Sequence, residues 1–254
     1  MLLLKNVSKW FGGLPALQDV SFGVPRGRIT ALIGPNGAGK STLINCISGV
    51  DTTASGQILL ETRPIERLPA HGIADLGVAR TFQNLKLFAR LSVLDNVLTG
   101  LTVAAERSFF RSMLRLPALR TQERQLRLKA LEALDDFGLA EKANWPAGAL
   151  SYGEKKRVEM ARAFVGDPRL VLLDEPVAGL NADETARIAR HIRQKRGAGH
   201  TMLLVEHDME LVMDVADQVV VLDSGRCIAG GSPEAVRSNP LVLDAYLGRM
   251  EATA

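Results

Sequence analysis

The sequence predicts an α/β fold whose sheet is largely parallel, with an antiparallel β region near its start and a helical block inserted in its middle. Three observations lead there. Short apolar runs at Arg28–Ile33, Leu170–Leu173, Thr201–Val205 and Val219–Leu222 read as strands buried on both faces. Helical spacings lie between the later runs, and strands that alternate with helices imply parallel pairing through right-handed crossovers. Between about Ser92 and Val165 the strand pattern stops and apolar residues recur at spacings of three and four.

Taken in order, Leu2–Val7 reads as the first strand, and Leu17–Val24 alternates until Pro25. Arg28–Ile33 follows as a continuous apolar strand. Gly34–Gly39 breaks the pattern, Lys40–Ser48 reads as a helix, and Gly56–Glu61 as another strand. The helical block contains Val93–Arg107, Arg120–Phe137 and Tyr152–Val165, punctuated by Pro117, Gly138 and Pro146. After Pro168 strands return, with helices near Ala182–Arg196 and Met209–Ala216. The expected organisation is one domain over 1–254, with 1–91 and 166–254 forming the core and 92–165 the inserted helical subdomain.

Composition narrows the function. The chain has 254 residues, enough for one sizeable core. No apolar run approaches the roughly 20 residues of a membrane-spanning helix. The start, Met1-Leu-Leu-Leu-Lys5, lacks the layout of a signal peptide. Cys46 and Cys227 form no spacing pattern and read as reduced thiols. The net charge of +3 is weak evidence for an anionic partner, and aromatic residues make up 5%, too few to build stacking platforms for nucleic acid.

Gly34-Pro35-Asn36-Gly37-Ala38-Gly39-Lys40-Ser41-Thr42 fits the phosphate-loop pattern G-x-x-x-x-G-K-[ST], with a buried strand before it and a helix after it. Glycines let the backbone curl so that several N–H groups converge on phosphate oxygens, and the helix start adds partial positive charge. Lys40 is expected to reach the β- and γ-phosphates and Ser41 to ligate Mg²⁺. Chance yields this pattern in roughly one chain in a hundred of this length. Downstream, Leu170–Leu173 ends in Asp174-Glu175-Pro176. Two acids at a strand end are the place for a metal-holding carboxylate (Asp174) and for a base that orients the attacking water (Glu175). Alone they would read as solvated turn acids. The phosphate loop upstream favours chemistry.

Leu150-Ser151-Tyr152-Gly153-Glu154 and the helix that follows resemble the signature of the ABC ATPases. The other family elements stand in order: Gln83 in Arg80-Thr-Phe-Gln83 resembles the Q-loop glutamine, Ala178-Gly-Leu-Asn181 the D-loop, and His207 in Val205-Glu-His207 the switch histidine. Phe11, before Gly12-Gly13, resembles the aromatic that stacks on adenine. The resemblance covers essentially the whole chain. It implies a P-loop NTPase with a RecA-like core, ATP and Mg²⁺ as ligands, Ser41, Gln83 and Asp174 at the metal, and Glu175, His207 and Gln83 in catalysis. It also implies that Ser151 and Gly153 touch the γ-phosphate held by a second ATPase subunit. Simpler readings stand beside these. Ser151 with Glu154, and Asn181 with Glu184, have capping-box spacing, His207 suits any strand end, and Phe11 suits a core. The usual signature is Leu-Ser-Gly-Gly-Gln, so Tyr152 and Glu154 depart from it, as Asn181 departs from the usual D-loop aspartate.

The Leu-Ser-Tyr-Gly signature, Glu175-Pro-Val-Ala-Gly-Leu-Asn181 and the tail from Gly231 to Gly248 are similar to the ATPase subunits of branched-chain amino-acid uptake systems. Ser108–Arg127 resembles an insertion found in one of their two ATPases. That branch implies transmembrane permeases, a second ATPase that is a paralogue or a second copy, an indirect solute-binding protein, and a peripheral place on the cytoplasmic face of the inner membrane. Importers of urea or short amides and lipopolysaccharide exporters are the neighbouring alternatives. Within the insertion, Arg107, Arg111 and Arg115 share one helical face, and Arg107–Lys129 hold seven basic residues against Glu123. A solvated face and a contact with membrane or permease both fit.

Overall fold

The computed structural model describes residues 1–101 and 117–247. The expected basic face at Arg107, Arg111 and Arg115 lies outside the described residues. Two compact units emerge: Met1–Arg80 with Arg169–Glu175 and Ile192–Ala254, and Thr81–Pro168 with Pro176–His191.

The first unit carries two sheets. Strands β1 (Leu2–Phe11), β2 (Leu14–Val24), β4 (Ser55–Leu60) and β5 (Arg63–Pro64) form an antiparallel sheet in the order β2-β1-β4-β5. The other sheet has the order β10-β9-β3-β8-β7-β6, from β3 (Ile29–Ile33), β6 (Val78–Arg80), β7 (Leu170–Asp174), β8 (Thr201–Val205), β9 (Gln218–Asp223) and β10 (Arg226–Gly231). All its pairings are parallel except the β9–β10 hairpin. Every residue of β3, β7 and β8 is buried, in keeping with their mostly apolar sequences. Each aliphatic side chain so buried contributes about 1.5–3 kcal/mol. Helices α1 (Lys40–Ile47), α2 (Ala70–Ala74), α7 (Met209–Val215), α8 (Pro233–Arg237) and α9 (Pro240–Leu247) complete this unit.

The register brings three of the loops together at one end of this sheet. Leu32 pairs with Val205 and Asp174 with Val205, so β3, β8 and β7 end side by side. The loops that leave those ends hold Gly34–Gly39, Glu175 and His207.

The second unit is helical, with α3 (Val93–Leu98), α4 (Pro117–Asp136), α5 (Tyr152–Phe164) and the first turns of α6 (Ala182–Gly197). Phe137 anchors it. Its ring is fully buried, 6.1 Å from that of Phe164 and 4.7 Å from that of His191. The helix expected over Val93–Arg107 ends earlier, at Leu98, where a 3₁₀ turn takes over at Thr99–Leu101. Strands β5, β6 and β10 and helices α2, α8 and α9 have no counterpart in the elements expected from the sequence. Among the described residues no helix is long and apolar enough to cross a membrane.

Candidate nucleotide-binding site

The phosphate loop is shaped by three glycines in conformations that side chains rarely adopt: φ is +149° at Gly34, +79° at Gly37 and +102° at Gly39. At Gly34 there is also no room, because a Cβ would stand 2.0 Å from the carbonyl oxygen of Leu222 on β9. Gly34, Ala38 and Lys40 are buried, Pro35, Gly39 and Thr42 half-buried, and Asn36, Gly37 and Ser41 exposed. Gly39 is the N-cap of α1 and offers no side chain to its N–H groups, and the first turn holds no acid. Such a helix start is an anion site. The Lys40 ammonium donates to the carbonyl oxygens of Gly34 (2.6 Å) and Pro35 (3.0 Å). The loop thus folds around its own cation, poised where phosphates would sit.

At the neighbouring strand end, Asp174 is 4% exposed. Its Oδ2 accepts from Arg80 Nη2 at 2.9 Å, while Arg80 Nη1 donates to Asn45 Oδ1 and Ser48 Oγ of α1, both at 2.8 Å. Glu175 follows with φ +48°, a left-handed conformation that a non-glycine residue adopts only under constraint, and its N–H donates to the carbonyl of Val205. The constraint turns the chain sharply at the end of β7. Beside it, Glu206 is fully buried, and its Oε2 accepts from the His207 N–H at 3.1 Å and lies 3.7 Å from His207 Nδ1. The imidazole itself is exposed. Phe11 ends β1 and is 51% exposed, with the Lys9 ammonium 4.9 Å from its ring centre. It is a surface aromatic, not a core one.

The remaining candidates belong to the second unit. Ser151 is the N-cap of α5 in a complete capping box: its Oγ accepts from the Glu154 N–H at 3.3 Å, and Glu154 Oε2 accepts from the Ser151 N–H at 3.0 Å. The other carboxylate oxygen of Glu154 pairs with Lys142. Burial works against the charge on Glu154, but Lys142 and Ser151 outweigh it and hold the carboxyl below its usual range. The signature carboxylate is therefore committed to its own helix. Asn181 and Glu184 form the same reciprocal pair at the start of α6. Glu184 lies over Gly153, where a Cβ would meet its carboxylate at 2.3 Å and displace it, and the Tyr152 ring lies against Gly179. Ser151, Gly153, Glu154, Arg157, Glu184 and Arg187 surround a cavity of about 100 Å³.

Gln83 is exposed, and its backbone is gripped from α5. Lys156 Nζ donates to the Gln83 carbonyl at 3.3 Å, Glu159 accepts from the Phe82 N–H at 3.3 Å, and Arg162 donates to the Lys86 carbonyl at 2.5 Å. Lys156 and Glu159 are buried, and burial raises the Glu159 carboxyl above its usual range despite the Phe82 N–H and Arg162. Sequence reasoning missed Arg80, Lys156, Glu159, Arg162 and Glu206. Their one signal is the i, i+3, i+6 spacing of the three on α5, which reads equally as a solvated face.

Residues 17–178 match the ABC transporter family, and residues 226–252 match a family described as branched-chain amino acid ATP-binding cassette transporter. The chain is 41% identical over 249 residues, 98% of each chain, to the high-affinity branched-chain amino acid transport ATP-binding protein BraF of Pseudomonas aeruginosa. A crystal structure of the ADP conformation of an ATP-binding cassette of an ABC transporter superposes with a TM-score of 0.85 at 32% identity, covering 98% of each chain. The dimeric post-hydrolysis state of another cassette, bound to ADP and Pi, gives 0.77 at 25% identity, covering 92% of this chain and 99% of that one. With its phosphate loop, acidic strand end and capped signature helix, this chain belongs to the ABC transporter family, among its ATP-binding proteins.

Proposed function

We propose that the chain is the ATP-hydrolysing subunit of an importer for branched-chain or other hydrophobic amino acids, working on the cytoplasmic face of the inner membrane. The observation that carries the reading is the convergence of the phosphate loop, Asp174–Glu175 and His207 at the ends of three adjacent strands. The amino-acid class rests on the names of the relatives and on the match at 226–252.

In this reading Phe11 stacks on adenine. Gly34–Thr42 hold the phosphates through backbone N–H groups, and Lys40 exchanges the carbonyls of Gly34 and Pro35 for phosphate oxygens. Glu175 takes the proton of the attacking water and His207 orients it, on a backbone whose N–H is held by buried Glu206. Ser151 and Gly153 close over the γ-phosphate bound by a second ATPase subunit, a paralogue or a second copy, while Gln83 answers to the nucleotide that this chain itself binds. Transmembrane permeases receive the motion and a solute-binding protein feeds them. Residues 92–165 act as the helical subdomain of a single ATPase domain.

The donor set fits Mg²⁺. Within the first unit the Ser41 hydroxyl and the Asp174 carboxylate are hard oxygen donors, which is what this ion takes when phosphates complete its shell, and the family resemblance adds the Gln83 amide. Mg²⁺ held there would neutralise charge that develops on the phosphate oxygens.

Glu175→Gln tests the catalytic core of this reading. The variant should bind ATP with wild-type affinity, lose hydrolysis by at least about a hundredfold and accumulate as an ATP-bound dimer. Normal turnover would remove Glu175 from the chemistry. Reconstitution with the permeases, followed by uptake of radiolabelled leucine, tests the transport assignment.

A further inference from the structure

Arg80 opens the stretch that carries Gln83, and the motif gives it no role of its own, yet its side chain is tied to the acidic strand end. It ends β6, which pairs in parallel with β7. Its guanidinium makes three hydrogen bonds of 2.8–2.9 Å, one to Asp174 and two to Asn45 and Ser48 at the far end of α1. The ion pair is largely shielded, with side chains 12% and 5% exposed. A planar fork held on both edges cannot swing away without breaking the whole set.

A shielded carboxylate needs a cation. Here the protein supplies its own, so a divalent ion approaching Asp174 meets a fixed positive charge. Nucleotide phosphates change the balance by adding several negative charges at the mouth of the loop. We propose that Arg80 is the standing counter-ion of Asp174 and keeps divalent metal off this carboxylate until a nucleotide brings it. The inference rests on the assignment of Asp174 as the metal-holding residue, and Arg80 acts in it as a positioning residue.

The test uses the nucleotide-free full chain. Thermal unfolding is followed with and without millimolar Mg²⁺, against KCl of equal ionic strength, and Mn²⁺ binding is read by electron paramagnetic resonance. The wild type should show no Mg²⁺-specific stabilisation and only weak Mn²⁺ binding. Arg80→Met should unfold earlier, be restored by Mg²⁺ but not by KCl, and bind Mn²⁺ about tenfold or more tightly. Arg80→Gln, which keeps hydrogen-bonding capacity without the charge, should do the same and covers the case in which the methionine variant does not fold. Arg80→Lys should behave as wild type, and Asp174→Asn added to either neutral variant should abolish the metal response. A neutral variant with the wild-type response to Mg²⁺ and Mn²⁺ overturns the inference. A separate result sinks the underlying assignment instead: unchanged nucleotide-dependent Mn²⁺ binding in the single variant Asp174→Asn.

Discussion

The phosphate loop and the turn before α5 both open a helix, and the chain shapes the two helix starts in opposite ways. The phosphate loop uses backbone. Three glycines with φ from +79° to +149° bend it, and no side chain caps α1. The signature turn uses side chains. Ser151 is in ordinary extended conformation, Glu154 completes its capping box, Lys142 pairs with Glu154, and Glu184 packs on Gly153. A backbone device has few sequences that can adopt it. A side-chain device tolerates exchange, and this chain shows as much by carrying Tyr152 and Glu154 where a glycine and a glutamine are usual.

The contrast is broken most severely at Gly34. Gly34→Ala places a Cβ against the Leu222 carbonyl and a strained φ on alanine, so we expect a loss of at least about 3 kcal/mol and no nucleotide binding. Gly37 has a similarly positive φ but open space around it. Gly37→Ala should cost only about 1–2 kcal/mol. Urea denaturation of both variants decides the matter. Equal midpoints would mean that conformation alone, not the approach of β9, demands Gly34.

Next in size is the grip of α5 on the segment Phe82–Lys86. Glu159→Ala leaves Arg162 without its acidic partner and frees the Phe82 N–H. Breaking such a buried set costs about 3 kcal/mol. Amide exchange at Phe82 should quicken well beyond that of α3, which serves as the internal reference. Uniform quickening across the second unit would reduce Glu159 to a packing residue.

This same grip marks where the sequence stops being readable. β3, β7 and β8 were legible because burial on both faces forces unbroken hydrophobicity, and Gly34–Lys40 because its dihedrals force glycine. Asn181 as a helix cap was legible from its spacing to Glu184. By contrast, β6 has three residues, too few for any periodicity, and β10 (Arg-Cys-Ile-Ala-Gly-Gly) is an edge strand with two glycines. Lys156 and Glu159 are buried and Arg80 half-buried, with partners that lie 73, 77 and 94 positions away. Charge at a helical position reads as solvent-facing, and nothing local contradicts that reading. The distribution is physical. Local geometry and one-body burial leave marks on residue type, whereas pairing between distant polar groups leaves almost none.

Ser151→Ala removes the N-cap of α5 and should cost about 1 kcal/mol, as Asn181→Ala should at α6. Glu154→Gln is the smallest and sharpest change, because it keeps the shape of the capping box and removes the charge facing Lys142. The folded carboxyl titrates below its reference value of 4.5, so its contribution is complete above that pH and disappears as pH falls through the lower folded value. The deficit of Glu154→Gln relative to wild type should be about 0.5 kcal/mol at neutral pH and should vanish in acid. Nucleotide hydrolysis, in contrast, should be unchanged or faster, since a carboxylate committed to Lys142 and to Ser151 gives the γ-phosphate nothing, while its negative charge opposes that phosphate. Chemical denaturation from pH 7 down to about pH 3, with ATPase rates at neutral pH, separates the two effects. A deficit that persists in acid would show that shape, not charge, ties Glu154 to its helix. A marked fall in hydrolysis would place the carboxylate at the phosphate after all and undo the contrast between the two sites.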